Sequence, residues 1–381
     1  MFRVVAAAVA VLLVSGGSLA AYSTWRLTEK VQQHAIALPG ENVPSVAALD
    51  GSFNVLLVGA DNAAGQHSFG KAREATLNDV DILVHVSADH TRGTVISFPR
   101  DLVIPHPKCR DPNTGQTYAA MTAQPLNVAF ERGGLGCVVD TVEHLTGLAI
   151  PYAALFSFAG TVKMADAVGG VPVCMTRAID DSKSGLHLPA GTSVVSGRTA
   201  LAYLRERKRI GDGSDLGRIA SQQAYMSALL RKMTAAGTLT DPAKLYSLAN
   251  AAADNVSLSQ SLAGLDRMVQ MAVTLRSIDL DQMVFVQYPT QADPANSYKV
   301  IPNASLATEL LDRVHRDQRV ALGTHALGIS ATTAPSSTPS NKPHIKGTPS
   351  PTTAPTDGAE IAGLTGTTAA QHTCTVTRTD N

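Results

Sequence analysis

Phe53-Asn54-Val55-Leu56-Leu57-Val58 is an unbroken, mostly apolar run that stops at Gly59-Ala60-Asp61, and two similar runs follow it. Asp81-Ile82-Leu83-Val84-His85-Val86 is the second, and Thr94-Val95-Ile96-Ser97-Phe98, halted by Pro99, is the third. Short runs rich in β-branched residues and bounded by turn residues read as buried strands. The polar link from Ser87 to Gly93 is too short for a crossover, so the second and third strands form an antiparallel hairpin. Pairing Val86 with Thr94 sets Asp79 opposite Asp101, with Arg100 one position away. If the first strand runs alongside the third in the same direction, Asp61 reaches the same edge. Three carboxylates and a guanidinium would then share one rim. Such a rim suits Mg²⁺, which accepts one or two carboxylates and leaves positions for phosphate oxygens.

Helical spacing appears further on. Cys137 to Leu148 reads as a helix stopping at Gly147, and Phe156 to Val168 as another ended by Gly169-Gly170. Val171 to Met175 is a short strand, placed at an edge or a strand start by Pro172. Helices follow over 196–205, 216–233, 241–250 and 259–273, then a strand over 283–286. Alternating strands and helices imply a layered α/β or α+β domain.

The 381 residues carry 31 Lys+Arg and 31 Asp+Glu, so the chain is formally neutral. That balance argues against nucleic-acid binding, which usually needs a basic excess. Hydrophobic residues are 44% of the chain, enough for a large core. No Phe, Tyr or Trp follows Tyr298, so the globular part is expected to end well before the chain does. Val4 to Trp25 carries no charge, with Arg3 before it and Arg26 after it. That length suits one bilayer crossing, and an uncleaved anchor is preferred over a cleaved signal peptide at Ser18-Leu19-Ala20. Both readings export the rest. All four cysteines, Cys109, Cys137, Cys174 and Cys374, lie in the exported part without metal-site spacing. Two disulfides fit an oxidising compartment, four buried thiols being the alternative. Of three pairings, none is fixed by sequence; Cys109–Cys137 with Cys174–Cys374 is preferred. The expected organisation is an anchor at 1–26, a stalk at 27–51, a globular domain at 52–320, a disordered Thr/Pro/Ser-rich linker at 321–358 and a tail at 359–381.

A second charged cluster runs Leu204-Arg205-Glu206-Arg207-Lys208-Arg209, then Asp212, Asp215 and Arg218. Arg205 and Arg207 would share a side only if the chain leaves the helix extended, which Gly211 and Gly213 favour. Arg218 and Gln222 are four apart on one helix face. Arginine grips phosphate bidentately. Taken singly, a charged run is commonly a solvated face, Asp215 an N-cap, and His85 and His106 structural. No Gly-rich phosphate loop, HExxH or GxSxG is present.

In order, Asn54 to Asp61, Asn78-Asp79, Ser97-Phe98-Pro99-Arg100-Asp101, Leu126-Asn127 with Gly133-Gly134, Val168-Gly169-Gly170-Val171, Gly197 to Arg207, and Gly213 to Arg218 with Gln222-Gln223 resemble the LytR-CpsA-Psr family over about 53–233. The cysteines and the Thr/Pro-rich segment resemble its actinobacterial members. The resemblance implies a membrane-anchored, extracytoplasmic phosphotransferase with a three-layer α-β-α domain around a mixed sheet. It would move a glycopolymer from a polyprenyl-pyrophosphate carrier onto peptidoglycan, using Mg²⁺. By motif, Asp61 and Asp79 match metal-binding acids, and Arg100, Arg205 and Arg207 match pyrophosphate-binding and catalytic arginines. Asp215 matches a further catalytic position, with Arg218 and Gln222 as substrate-binding positions. The family pattern commonly has Arg where this chain has Leu77 and Ser221, and Arg73 is a candidate substitute. A long hydrophobic pocket for the lipid is implied but not visible in the sequence. A pyrophosphate hydrolase and a non-enzymatic envelope-binding or regulatory protein are the alternatives.

Overall fold

The computed structural model describes residues 22–39, 49–60, 76–112, 114–235, 242–323, 326–328, 330–334 and 358–378. Asp61, Arg73, most of the apolar N-terminal segment and residues 335–357 of the expected linker lie outside them. Among the described residues, no helix is long and apolar enough to cross a membrane.

The three apolar runs become β1 (Phe53–Ala60), β2 (Asn78–Val86) and β3 (Gly93–Phe98). They form the middle of a seven-stranded mixed sheet. On one side β1 pairs in parallel with a strand at Tyr152–Phe156, which pairs with Val256–Leu258. On the other, β3 pairs in parallel with Met283–Gln287, whose far neighbour is Gly366–Thr368. Period-two alternation gives the sheet two apolar faces. Leu56, Val58, Leu83 and Ile96 pack on helices α2 (Ala129–Thr146) and α8 (Ala304–His315). Val55, Leu57, Ile82 and Val95 face the opposite layer, with Met226 and Leu230 of α5 (Asp215–Thr234) and Met271 of α7 (Leu265–Ser277). The expected α-β-α layering around a mixed sheet follows from these two clusters. Helix α3 (Phe158–Ala167), α4 (Gly197–Arg205) and α6 (Pro242–Asn255) complete the second side, and α1 covers 22–33.

The hairpin register differs by one residue from the expected one. Val86 faces Gly93 and Asp81 faces Phe98, because the Ser87 N–H donates to the Arg92 carbonyl (3.1 Å) and closes the turn there. The extrapolated register sets Asp79 beside Arg100 rather than Asp101. β1 and β3 run in the same direction, but β2 lies between them. The helix expected from Phe156 starts at Phe158, since Ser157 is extended and its hydroxyl accepts the Gly160 N–H (3.0 Å) as an N-cap. Helix α2 begins earlier than its periodicity suggests, continuing through a break at Gly133-Gly134, and stops at Gly147 with φ +72. Ser214, not Asp215, caps α5 by accepting the Gly217 N–H. Pro172 is the second residue of a strand at Val171–Met175 inside a four-stranded sheet; the neighbour at Thr373–Thr375 pairs with it only at Met175.

The described part of the aromatic-poor end is folded, beyond the point where the globular part was expected to end. Ile361 and Leu364 enter the first core, Ala369 the second, and Gly366–Thr368 is a strand of the central sheet. Residues Ala321–Leu322 and Ala331–Thr333, within the expected linker, are strands as well. Thr-rich strands supply backbone pairing without aromatic bulk, so composition alone does not reveal them. Within the expected stalk, Leu27 and Val31 pack on Ala253 and Ala263. Both preferred disulfides, Cys109–Cys137 and Cys174–Cys374, are formed.

Candidate active site

A cavity of about 650 Å³ opens between the sheet and helices α3, α4 and α5. Its deep wall is apolar, built from Ile82, Phe156, Met164, Leu201, Met226 and Leu229. At its polar end stand Asp79, Arg100, Arg205, Arg207, Arg218 and Gln222. Six of the eight residues singled out from sequence therefore share one cavity. Asp61 lies outside the described residues, and Asp215 is not on the wall.

Asp215 stands behind it. Its Oδ1 pairs with Arg218 Nη2 (2.7 Å), and its Oδ2 accepts the Arg100 backbone N–H (3.3 Å). Arg218 also donates to the backbone carbonyl of Asp79 (2.8 Å). Arg100 is surrounded by carboxylates: Nη1 is 2.6 Å from Asp79 Oδ1, and Nε is 3.6 Å from Asp101 and 3.7 Å from Asp215. Burial works against its charge, but Asp79, Asp215 and Asp101 outweigh it and raise the guanidinium's pKa. Lys299 adds a second cation on Asp101 at 2.6 Å. Deeper still, Asp81 is fully buried, and Asn78 donates to both of its oxygens (2.9 and 2.8 Å). Burial raises the Asp81 pKa well above its ordinary value, against the Asn78 bond, with Asp79 adding to the rise.

The Arg205–Arg207 pair reaches the cavity because the chain leaves α4 extended, at φ −63 and ψ 132 for Glu206. Glu206 is itself buried, at 2% exposure. Its Oε1 accepts the backbone N–H of Arg207 (2.9 Å) and of Arg209 (3.1 Å), and its Oε2 accepts the Ser184 hydroxyl. Arg205 stacks over the Phe158 ring, 4.4 Å from its centroid, a favourable cation–π placement. Gln222 donates to the Leu204 carbonyl at the end of α4 (3.0 Å). Arg207 has no carboxylate partner among the described residues, which leaves its fork for an anion.

The model of the LytR_cpsA_psr family (LytR-CpsA-Psr) matches residues 17–315. The chain belongs to that family. It is 28% identical over 349 residues to the cell wall biosynthesis protein LcpA of Corynebacterium glutamicum, covering 85% of this chain and 66% of that one. It is also 25% identical over 326 residues to the polyisoprenyl-teichoic acid–peptidoglycan teichoic acid transferase TagT of Bacillus subtilis, covering 83% and 94%. Among solved structures, a LytR-Csp2A-Psr enzyme from Actinomyces oris shares the fold with a TM-score of 0.55 at 22% identity, over 74% of this chain and 96% of that one. The chain thus spans slightly less than two thirds of the corynebacterial relative's length.

At this LytR_cpsA_psr site a hard divalent cation would draw on carboxylate oxygen, and of the two acids matched by motif only Asp79 is among the described residues. Asp79 offers carboxylate oxygen at the cavity wall, and Ala60, the residue before Asp61, pairs with Asn78, the residue before Asp79. Among the described residues no group of three His, Cys, Asp or Glu side chains is arranged to hold a metal. Sequence reasoning missed Asp81, Asn78 and Ser184 and gave Glu206 no role. Asn78 and Glu206 were within the quoted motifs. Ser184 carried no signal, because its partner is 22 residues away. Ser221, where the family commonly has Arg, is fully buried and donates to the Gly217 carbonyl (3.4 Å).

Proposed function

We propose that this protein is an extracytoplasmic phosphotransferase that moves a glycopolymer from a polyprenyl-pyrophosphate carrier onto peptidoglycan. The observation that carries this is the cavity's division into an apolar chamber and an arginine-lined end. A polyprenyl chain requires the first, and a pyrophosphate requires the second. TagT, the Bacillus relative, bears the name of such a transferase.

In this reading Arg100, Arg205 and Arg207 bind the pyrophosphate oxygens and stabilise the charge that develops on them. Arg218 and Asp215 hold Arg100 and Asp79 in place, and Gln222 fixes the end of α4. A peptidoglycan hydroxyl attacks the phosphorus that bears the glycopolymer. The bond from that phosphorus to the bridging oxygen breaks, and polyprenyl phosphate leaves with the bonding electrons. The hydroxyl proton passes to a carboxylate. Asp215 is the motif's candidate for that role, and its engagement with Arg218 makes it first an orienting group. Mg²⁺ on Asp79 and Asp61 would neutralise phosphate charge. The uncharged segment over 4–25 and the two disulfides support a single-pass cell-membrane protein with its domain outside the cytoplasm.

The experiment is photolabelling with a polyprenyl pyrophosphate carrying a photoreactive group along the lipid. Adducts on peptides containing Met164, Leu201 or Met226, displaced by unlabelled lipid, are expected. Labelling spread over the surface and not displaced would contradict the lipid chamber.

A further inference from the structure

The loop between α4 and α5, residues 206–214, carries Arg207 and delivers the Ser214 cap. Glu206 holds it from inside. Its outer side lies against the last described residues of the chain. The Gly211 N–H donates to the Val376 carbonyl (2.9 Å), and the Arg378 N–H donates to the Arg209 carbonyl (2.8 Å). Arg378 Nη1 donates to the Asp212 carbonyl (2.9 Å), and Ile210 and Thr377 form an antiparallel bridge. Gly211 has φ +52, and a Cβ there would sit 2.0 Å from Ser330 Oγ, so the loop passes too close to Ser330 for a side chain at that point.

This terminal segment is itself fixed. Cys374 is bonded to Cys174, the Thr375 carbonyl accepts the Thr176 N–H (3.0 Å), and the Thr375 hydroxyl is 2.6 Å from the buried Tyr203 hydroxyl. Tyr203 lies on α4, two residues before Arg205. All these terminal residues follow residue 315, where the family match ends.

We propose that residues 373–378 are a positioning strap for the Arg207 loop, so that the phosphate-binding arginines are ordered before substrate arrives. The proposal rests on the phosphotransferase reading given above. Ordering a loop costs conformational entropy, and a strap that meets this cost in folding spares it during binding. Residues 373–375 also lie against α5, but the strap's hydrogen bonds among the described residues go to the loop, to Thr176, Arg177 and Ser330, to the neighbouring strand at Ala331–Thr333 and to Tyr203, not to the chamber wall. Its loss should therefore lower kcat and leave KM for the lipid substrate nearly unchanged.

The test uses the full chain with a specific protease site placed within residues 335–357. Cleavage alone should leave turnover intact, because Cys174–Cys374 retains the strap. Cleavage, reduction and removal of the peptide should lower kcat about a hundredfold, the scale of an ångström-sized misplacement. Hydrogen exchange at the Gly211 amide should rise with it. The uncleaved chain under the same reductant should keep both properties. Unchanged kcat and protection after release would overturn the proposal, as would equal loss in the uncleaved reduced chain. Because release also removes a strand of the central sheet, Arg378→Pro on the intact chain is the second variant. It deletes both Arg378 bonds and keeps the disulfide. It should lower kcat several-fold and speed Gly211 exchange with the melting temperature unchanged; unaltered kcat and exchange would contradict the strap. If no form turned over substrate, the intact chain included, the phosphotransferase reading would fail, while Gly211 exchange would still judge the strap.

Discussion

Arg100 and Arg207 both face the cavity, yet their removal should have different consequences. Arg100 sits 2.6, 3.6 and 3.7 Å from Asp79, Asp101 and Asp215, with its side chain 19% exposed. Among the described residues, Arg100→Ala leaves three carboxylates compensated only by Arg218 and Lys299. Removing one partner of a buried ion pair costs roughly 3–5 kcal/mol, and the residual exposure here places the cost at or below the low end. Turnover should fall as well, by about a hundred- to thousandfold for a lost transition-state contact, or about 2.7–4 kcal/mol. Arg207→Ala should show the same loss of turnover with little change in stability, since no described carboxylate depends on it. Arg100→Lys should recover most of the stability but little of the rate, because an ammonium restores charge without the planar fork. Urea denaturation and initial-rate measurements on the three variants separate these effects. Equal destabilisation by Arg100→Ala and Arg207→Ala, or full rescue of rate by lysine, would refute the reasoning.

Glu206→Ala removes the acceptor for two loop amides and should reduce kcat at least tenfold, whereas Glu206→Gln, which keeps an acceptor oxygen, should retain most activity; identical losses would show that the charge, not the loop bond, matters. Asp79→Asn should shift Mg²⁺-dependent turnover to higher Mg²⁺, and an unchanged Mg²⁺ titration would remove Asp79 from the metal assignment. His106 is 1% exposed, and burial, with Arg132 nearby, pushes its pKa down to about 4. A depressed histidine pKa favours the neutral ring in the folded state, so its contribution to stability is complete above pH 6.5 and is lost as the pH falls toward 4. The loss amounts to about 3 kcal/mol. Denaturation at pH 7 and pH 4 should show a smaller drop in His106→Gln than in the parent, and equal drops would contradict it.

The central strands were legible because each is a short apolar run between turn residues, and the cavity's charged residues were legible as motifs. The apolar chamber was not, since its wall is assembled from the sheet and three helices that are separate in sequence. Nor was the hairpin register, which depends on a Ser87–Arg92 backbone bond rather than on the apolar pattern. His85 reads from sequence only as a structural residue, with no partner named. Its ring bonds Asn54 Oδ1 and Asp317 Oδ1, both at 2.9 Å, and Asp317 is 232 residues away. The C-terminal strands were hidden by a composition of Thr, Ala and Gly, which reads as linker until a disulfide and neighbouring strands hold it.

The most direct measurement is mass spectrometry of muropeptides after incubation of the purified protein with a polyprenyl-pyrophosphate glycan, peptidoglycan and Mg²⁺. A glycan joined to a muropeptide through a phosphodiester, formed with equimolar polyprenyl phosphate and absent with Arg207→Ala, is the predicted result. Release of glycan ending in free phosphate, with no muropeptide adduct, would make the protein a hydrolase. No polyprenyl phosphate above a protein-free control would contradict enzymatic function altogether.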